Sequence, residues 1–460
     1  MDKLKSLSQK NLTLKNLRYS ILDGCAYSFM VGLGESYIAA YVLTKGFSDL
    51  SAGLISTVPL FAGAVLQLIS PYGVFRLKSY RKWVTKTSFL QGMSLLALAL
   101  TAFFPVPIEV LFIIAAFYWA GGMSTGPAWN SWMTKIVPER DRLQFFSRRS
   151  MLSSVCVFVG LICGGLILHF LSNQETLLMA YFGIFLVSGL LRILSSFALS
   201  QHTENEQMTS AIEKFSFRFV CKNIWKRDYA STLKFIFVFQ FGVYFSAAFF
   251  NPFMLKELKF SYGTYMILLA SSFIAKIFAQ PVAKKIIQSV GPQKTLLFAT
   301  LGIIPLPLVW TVSSNPVYLS LMQVCSGFMW GVYELITFLI LFNQIPQRER
   351  TEALTFFNFA QTVCIIVGSL LAGLLFKIIG GNYQAYMAVF YASTGLRFLA
   401  LTQFPSLAEN LTISRYKTLL KPSGFRLSRV DFFTQPVMVK ENADKNSAQK
   451  QITDDSKKVS

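Results

Sequence analysis

The sequence predicts an all-α membrane protein: twelve transmembrane helices in two six-helix bundles related by internal duplication. Three observations predict it. The 460 residues are 53% hydrophobic and only 14% charged, with 44 Phe, a balance that excludes most soluble classes. Apolar stretches of about 20 residues, long enough to cross a bilayer, recur along the chain. Finally, a shift of 208 residues places Pro138-Glu139-Arg140-Asp141-Arg142 on Pro346-Gln347-Arg348-Glu349-Arg350. In the same register Val159-Gly160 falls on Val367-Gly368, Gly165 on Gly373 and Met179-Ala180 on Met387-Ala388. A parallel repeat inside a hydrophobic chain is one way in which secondary transporters are built.

The first bundle, residues 1–199, takes spans near 17–43, 50–74, 83–104, 108–133, 150–171 and 176–199. The second, 231–404, takes spans near 231–255, 262–283, 293–313, 316–343, 353–378 and 384–404. Pro59, Pro127 and Pro305 are expected to kink spans 2, 4 and 9. Gly160 and Gly165 in span 5, matched by Gly368 and Gly373 in span 11, permit close helix approach. Residues 200–230 are read as a cytoplasmic linker. Its stretch Lys214–Arg227 mixes aromatic and basic residues and could lie on the inner membrane surface, although a plain tether is preferred. Residues 405–460 are polar and are expected to form a partly disordered cytoplasmic tail.

Charge placement gives the orientation. The loops after spans 1, 3, 5, 7, 9 and 11 hold only Lys45, Lys256, Lys259 and Lys377 of the 43 Lys plus Arg. The other side carries Lys3, Lys5, Arg76, Lys78, Arg81, Lys82, Arg140, Arg142 and many more. By the positive-inside bias both termini are cytoplasmic and the protein is a multi-pass protein of the inner (plasma) membrane. This bias accounts for the net charge of +21. The basic residues are scattered over short loops rather than gathered in one patch, which argues against nucleic acid as a partner. The apolar run after the basic start is too long for a cleavable signal. Five of the six cysteines fall within spans, so no disulfide framework is expected. No phosphate-cradling Gly-x-x-x-x-Gly-Lys-Ser/Thr loop is present, so ATP drive is not expected. No cofactor and no metal are expected.

The loops carry a family resemblance. After span 2, Gly73, Lys78, Arg81 and Lys82 keep the first Gly and the basic positions of a Gly-x-x-x-Asp-Arg-x-Gly-Arg-Arg pattern, with Leu77 in place of the Asp and Tyr80 in place of the second Gly. After span 8, Gly291-Pro292-Gln293-Lys294 remains of the corresponding loop. Trp129-Asn130-Ser131-Trp132 closes span 4, and Pro138 to Arg142 and Arg148-Arg149 follow it. Across about 1–404 the chain resembles the major facilitator superfamily, bacterial type, with the subfamily unassigned. The resemblance implies that Gly73, Arg81, Arg140, Arg142, Arg348 and Arg350 belong to gating loops, and that span 1 lines a central cavity. The Gly-Pro of the family's antiporter signature is missing from span 5.

Charges inside spans are functional candidates, because each costs several kcal/mol at the bilayer centre unless paired or wet. In span 1, Asp23 lies ~9 Å deep and Glu35 ~27 Å deep at the helical rise. Asp23 shares its depth with Arg192 of span 6, and a structural Asp23–Arg192 pair is the preferred reading. Glu35 has no cation at its depth; it is read either as a cargo or proton site or as a helix–helix hydrogen bond. Lys276 in span 8 and Glu334 in span 10 lie at matching depths. They form either a proton-responsive pair or a static ion pair. Asn130 is a further cargo candidate. Arg397 in span 12 has no acidic counterpart in span 7 and is expected to reach the cytoplasmic surface.

Together these readings predict a monomeric secondary active transporter in the lipid bilayer. It moves a small-molecule substrate by alternating access with proton coupling through Glu35, the better site, or Glu334. A multidrug exporter, and a non-transporting membrane receptor on the same fold, are the alternatives; no enzymatic activity is expected.

Overall fold

A computed structural model of the chain describes residues 2–48, 51, 54–55, 57–171, 174–204 and 222–404. Most of the linker segment and the whole 405–460 tail lie outside the described residues. In the first half, helix α1 runs Asp2–Leu33 and continues past Gly34 as a 3₁₀ turn, Glu35–Tyr37, and a short helix, Ile38–Thr44. Helix α2 comprises Val58–Leu66, Gln67–Ile69 and Ser70–Leu77. Then come α3 (Tyr80–Leu100), α4 (Ile108–Ile136), α5 (Arg142–Phe170) and α6 (Gln174–Ser200). In the second half, α7 is Ala230–Ala247 extended through Phe250–Pro252 and a π-helical Phe253–Glu257. It is followed by α8 (Tyr262–Val290), α9 (Pro292–Ile303 and Leu306–Val312), α10 (Pro316–Gln344), α11 (Arg350–Ile378) and α12 (Tyr383–Leu399). No strand occurs among the described residues.

The repeat is visible in the helix ends. Adding 208 to Ile108–Ile136 gives Pro316–Gln344, and adding it to Arg142–Phe170 gives Arg350–Ile378; both pairs coincide at each end. The stop has a local cause. Val137 and Ile345 are both extended (ψ 115° and 122°), as a residue before proline must be, and Pro138 and Pro346 follow them. The pairing of helices repeats as well. In each half the first helix packs on the fifth and sixth, and the fourth on the second and third.

Among the described residues, nine helices are long and apolar enough, by length and composition, to cross a membrane. The other three, α1, α3 and α12, are diluted by polar residues turned inward. Asp23, Gln91 and Arg397 are all within 4% of complete burial, so their polarity faces the bundle and not lipid. The first helix begins at Asp2, ahead of the span read from near Leu17; the intervening residues contain no Gly or Pro, so the hydrogen-bond ladder has no reason to stop. Pro305 does more than kink α9: it separates Pro292–Ile303 from Leu306–Val312, because a proline removes a ladder donor and clashes with the preceding turn.

Helices α1 and α5 cross at glycines. A Cβ on Gly32 would stand 2.1 Å from the Val157 carbonyl oxygen, and one on Gly160 would stand 2.5 Å from that of Phe29. The obstruction is backbone, so a side chain cannot be accommodated by a rotamer change. Gly32→Val is therefore expected to force the helices apart and to destabilise by at least the ~1–3 kcal/mol typical of overpacking. Gly183→Ala, at a position with nothing within 4 Å, should leave thermal melting of the purified protein unchanged or slightly improved.

Candidate functional site

Charged side chains from several helices meet at the interface of the bundles. Two adjoining cavities occupy it, of about 370 Å³ and 250 Å³, and they share Glu334 and Phe338. The larger is bordered on the first-half side by Asp23, Tyr27, Trp129, Arg149 and Arg192. The smaller is bordered by amides, Asn130, Gln240, Asn358 and Gln361, with Tyr333 and Phe342.

The Asp23 carboxylate is the hub of the larger cavity. It faces Arg192 at 3.8 Å and Arg149 at 3.2 Å, and it accepts a hydrogen bond from the Ser195 hydroxyl at 2.7 Å. Arg192 donates through Nε to Gln91 at 2.7 Å and through Nη1 to Ser195 at 2.7 Å, and its guanidinium lies 4.6 Å from the Tyr27 ring centre. Such saturation is what a guanidinium with 2% exposure requires. Arg149 differs: its side chain is 20% exposed, one donor reaches the Ser20 carbonyl at 3.1 Å, and its plane covers Trp129 at 4.2 Å. The sequence reading assigned Asp23 and Arg192 to each other and left Arg149 among the loop arginines. The missed signal is spacing, because seven residues inside α5 put Arg149 about 10 Å below the helix start, at the depth of Asp23.

Lys276 and Glu334 meet across α8 and α10 at 2.7 Å. Glu334 keeps 46% side-chain exposure because it borders both cavities. Glu35 lies elsewhere: it borders neither cavity and accepts a hydrogen bond from Tyr118 of α4 at 2.5 Å. Asn130 borders the smaller cavity with its Oδ1 buried and unpartnered. Arg397 is corrected: instead of reaching the surface it is 2% exposed and donates to the Ile303 carbonyl at 2.9 Å and to Ser246 at 3.0 Å. Pro307, four residues past Ile303, has no N–H to offer that carbonyl, so the carbonyl is left to accept from the guanidinium.

The loop residues fall into two groups. Gly73 is needed for contact, since a Cβ there would lie 2.1 Å from the Trp83 ring. Arg81 donates to the His202 carbonyl at 3.2 Å, and Glu204 accepts from the backbone N–H of Tyr80 at 2.8 Å and from the Ser79 hydroxyl. These contacts fasten the loop to its own half; Glu204 takes up helix-start donors where Leu77 supplies no acid. Arg140 pairs with its neighbour Asp141, at 3.6 Å. Arg142 crosses between halves, donating to Asn343 at 3.1 Å, and Thr351 bonds Ser131 at 2.7 Å across the same seam. Arg350 closes on its own turn at the Ile345 carbonyl, 2.6 Å away, and Arg348 follows the end of α10 in the turn before α11. The aromatic cluster of Phe146 with Phe338 and Phe342, each 4.8 Å between ring centres, also spans the halves here. Toward the opposite face the two halves keep separate apolar clusters, one around Tyr41, Tyr118 and Phe185 and another around Phe253, Trp310 and Phe390.

His202, just past α6, is sequestered beside Trp132 at 5.1 Å between ring centres. Burial, and then the charge of Arg149, push its pKa down to about 3. The folded-state value is depressed, so the stability it permits is complete above pH ~6.5 and is lost as pH falls from there toward about 3. The slope is ~1.4 kcal/mol per pH unit. Melting of purified protein should thus drop between pH 7.5 and 5, and His202→Phe should remove the part of the drop due to this ring.

Residues 233–410 match the sequence model of the Major Facilitator Superfamily. The transporter FucP in its outward conformation is similar in structure, with TM-score 0.64 at 14% identity over 84% of this chain and 99% of that one. A bacterial homologue of the iron transporter ferroportin in its outward-facing state gives 0.64 at 13% identity over 86% and 98%. The proton:xylose symporter XylE gives 0.62 at 11% identity over 86% and 95%. No curated protein matches by sequence. At these identities the structural likeness is one of fold.

Proposed function

We propose that this chain, whose residues 233–410 match the Major Facilitator Superfamily model and whose fold resembles FucP and XylE, is a proton-coupled carrier of a small organic solute working by alternating access. The observation that carries the reading is the pair of cavities at the bundle interface, bordered by Asp23 and Arg149 on one half and Glu334 on the other. A static helix bundle has no use for ionisable groups left partly exposed there. Residues 1–199 and 231–404 act as the two moving halves, tethered by 200–230. Cross-seam bonds such as Arg142 to Asn343 and Thr351 to Ser131 hold the face bearing the basic loops closed, and that face is cytoplasmic by its excess of Lys and Arg. The arrangement is accordingly outward-facing. The coupling carboxylate is Glu334, since it borders the cavities and Glu35 does not.

Purified protein in liposomes tests this. Solute counterflow without any gradient, and accumulation when a pH gradient is imposed, are expected. Binding without either flux would instead support a receptor, and flux of many unrelated hydrophobic cations would support multidrug export.

A further inference from the structure

We propose that the cargo is a small organic anion whose carboxylate docks on Arg149, with its body against Trp129 and Phe146. The inference deepens the carrier reading and rests on it. Charge bookkeeping at the cavity comes first. Lys276 offsets Glu334 at 2.7 Å, and Asp23 offsets one of the two arginines that face it at 3.2 and 3.8 Å. One positive charge is left over, in a region where an uncompensated charge is costly.

Geometry says which arginine carries it. Arg192 is 2% exposed and already holds Gln91, Ser195 and Asp23. Arg149 opens to the cavity with 20% of its side chain exposed. Its bonds to the Ser20 carbonyl and Asp23 engage two of the five N–H groups of a guanidinium. The remaining fork suits a carboxylate in two-pronged contact. Trp129 lies beneath the guanidinium at 4.2 Å and fixes its plane. The space of about 370 Å³ has aromatic walls, Tyr27, Trp129, Phe146 and Phe338, which is far more than an inorganic anion fills. A cationic cargo would face the surplus charge directly. The duplication sharpens the point, since the position in the second half that corresponds to Arg149 is Phe357. The anion site is one-sided.

The test uses the full-length protein with benzoate, phenylacetate, lactate and succinate, each beside its amide, and with benzylamine and inorganic phosphate. Thermal stabilisation and counterflow in liposomes are read in parallel. At least one carboxylate should be preferred over its own amide by about tenfold or more, the size of a charge-assisted contact. Arg149→Gln should erase that preference, and Arg149→Lys should retain part of it, because the charge stays while the fork is lost. Preference for an amide or amine, equal response to phosphate, or an undiminished preference in Arg149→Gln would overturn the anion assignment while leaving a carrier. Silence of every probe in both assays would overturn the anion assignment, while the carrier reading stands or falls on the liposome test of counterflow and pH-driven accumulation. The amide comparison is made in the unaltered protein, so it decides even if a variant fails to fold.

Discussion

Glu334→Gln is expected to abolish accumulation driven by a pH gradient while leaving exchange of cargo at equal pH intact. With one proton per solute, a gradient of one pH unit supports about tenfold accumulation; in the variant the ratio should fall to about one. The reason is competition for one carboxylate. Glu334 is held by Lys276 at 2.7 Å and stands at the junction of the two cavities, so a proton arriving from the open side releases Lys276 and changes the charge presented to the cargo. Glutamine has the same shape and no charge to exchange. Glu334→Asp should keep coupling at reduced rate, since a shorter arm still carries the proton. Glu35→Gln serves as the comparison: its partner is the Tyr118 hydroxyl, away from the cavities, so coupling should survive. Retained accumulation in Glu334→Gln together with loss in Glu35→Gln would move the proton site to α1.

Most of the architecture was legible because the bilayer leaves few options. Length, apolarity and the 208-residue repeat are properties of the chain itself, and they predict that helices α4, α5, α10 and α11 exist; their coinciding ends appear only in the fold. What was illegible is what depends on helix rotation. Depth along a helix follows from residue count, and so Asp23 with Arg192 and Lys276 with Glu334 could be paired by level. Azimuth does not follow: by depth Glu35 has no cation at its level, and only the fold shows that it turns toward Tyr118 of α4. Repeat logic also points away from Arg149, because the residues proposed for cargo and proton are not duplicated: Glu334 corresponds to Gly126 as Arg149 does to Phe357. The repeat preserves the scaffold and the turns, and these cavity-lining charges lie where the copies differ. Arg397 was misjudged for a different reason. Its acceptor is a backbone carbonyl, that of Ile303, which is free of the helix ladder because the residue four positions on, Pro307, has no N–H.

Asp23→Asn should be the most destabilising single change in the first half. It leaves the guanidinium groups of Arg149 and Arg192 facing each other's surroundings without an anion, and loss of one partner of a buried ion pair typically costs ~3–5 kcal/mol. Arg192→Gln should cost less, although Arg192 is the more buried of the two arginines. In that variant Asp23 keeps Arg149 at 3.2 Å and the Ser195 hydroxyl at 2.7 Å, so no charge is stranded. The hub geometry also limits rescue. If Asp23 served Arg192 alone, the double change Asp23→Asn with Arg192→Gln would restore most of the loss. With two arginines on one carboxylate it should restore only part, and the remainder should follow Arg149, whose charge is then offset by nothing nearer than the Ser20 carbonyl and the Trp129 ring. Folded yield and melting temperature of the two singles and the double provide the measurement as a double-mutant cycle. Full rescue in the double would reduce the hub to a simple pair. Strict additivity would mean that Asp23 and Arg192 do not interact at all, and that the 3.8 Å approach is a consequence of both being drawn to Ser195.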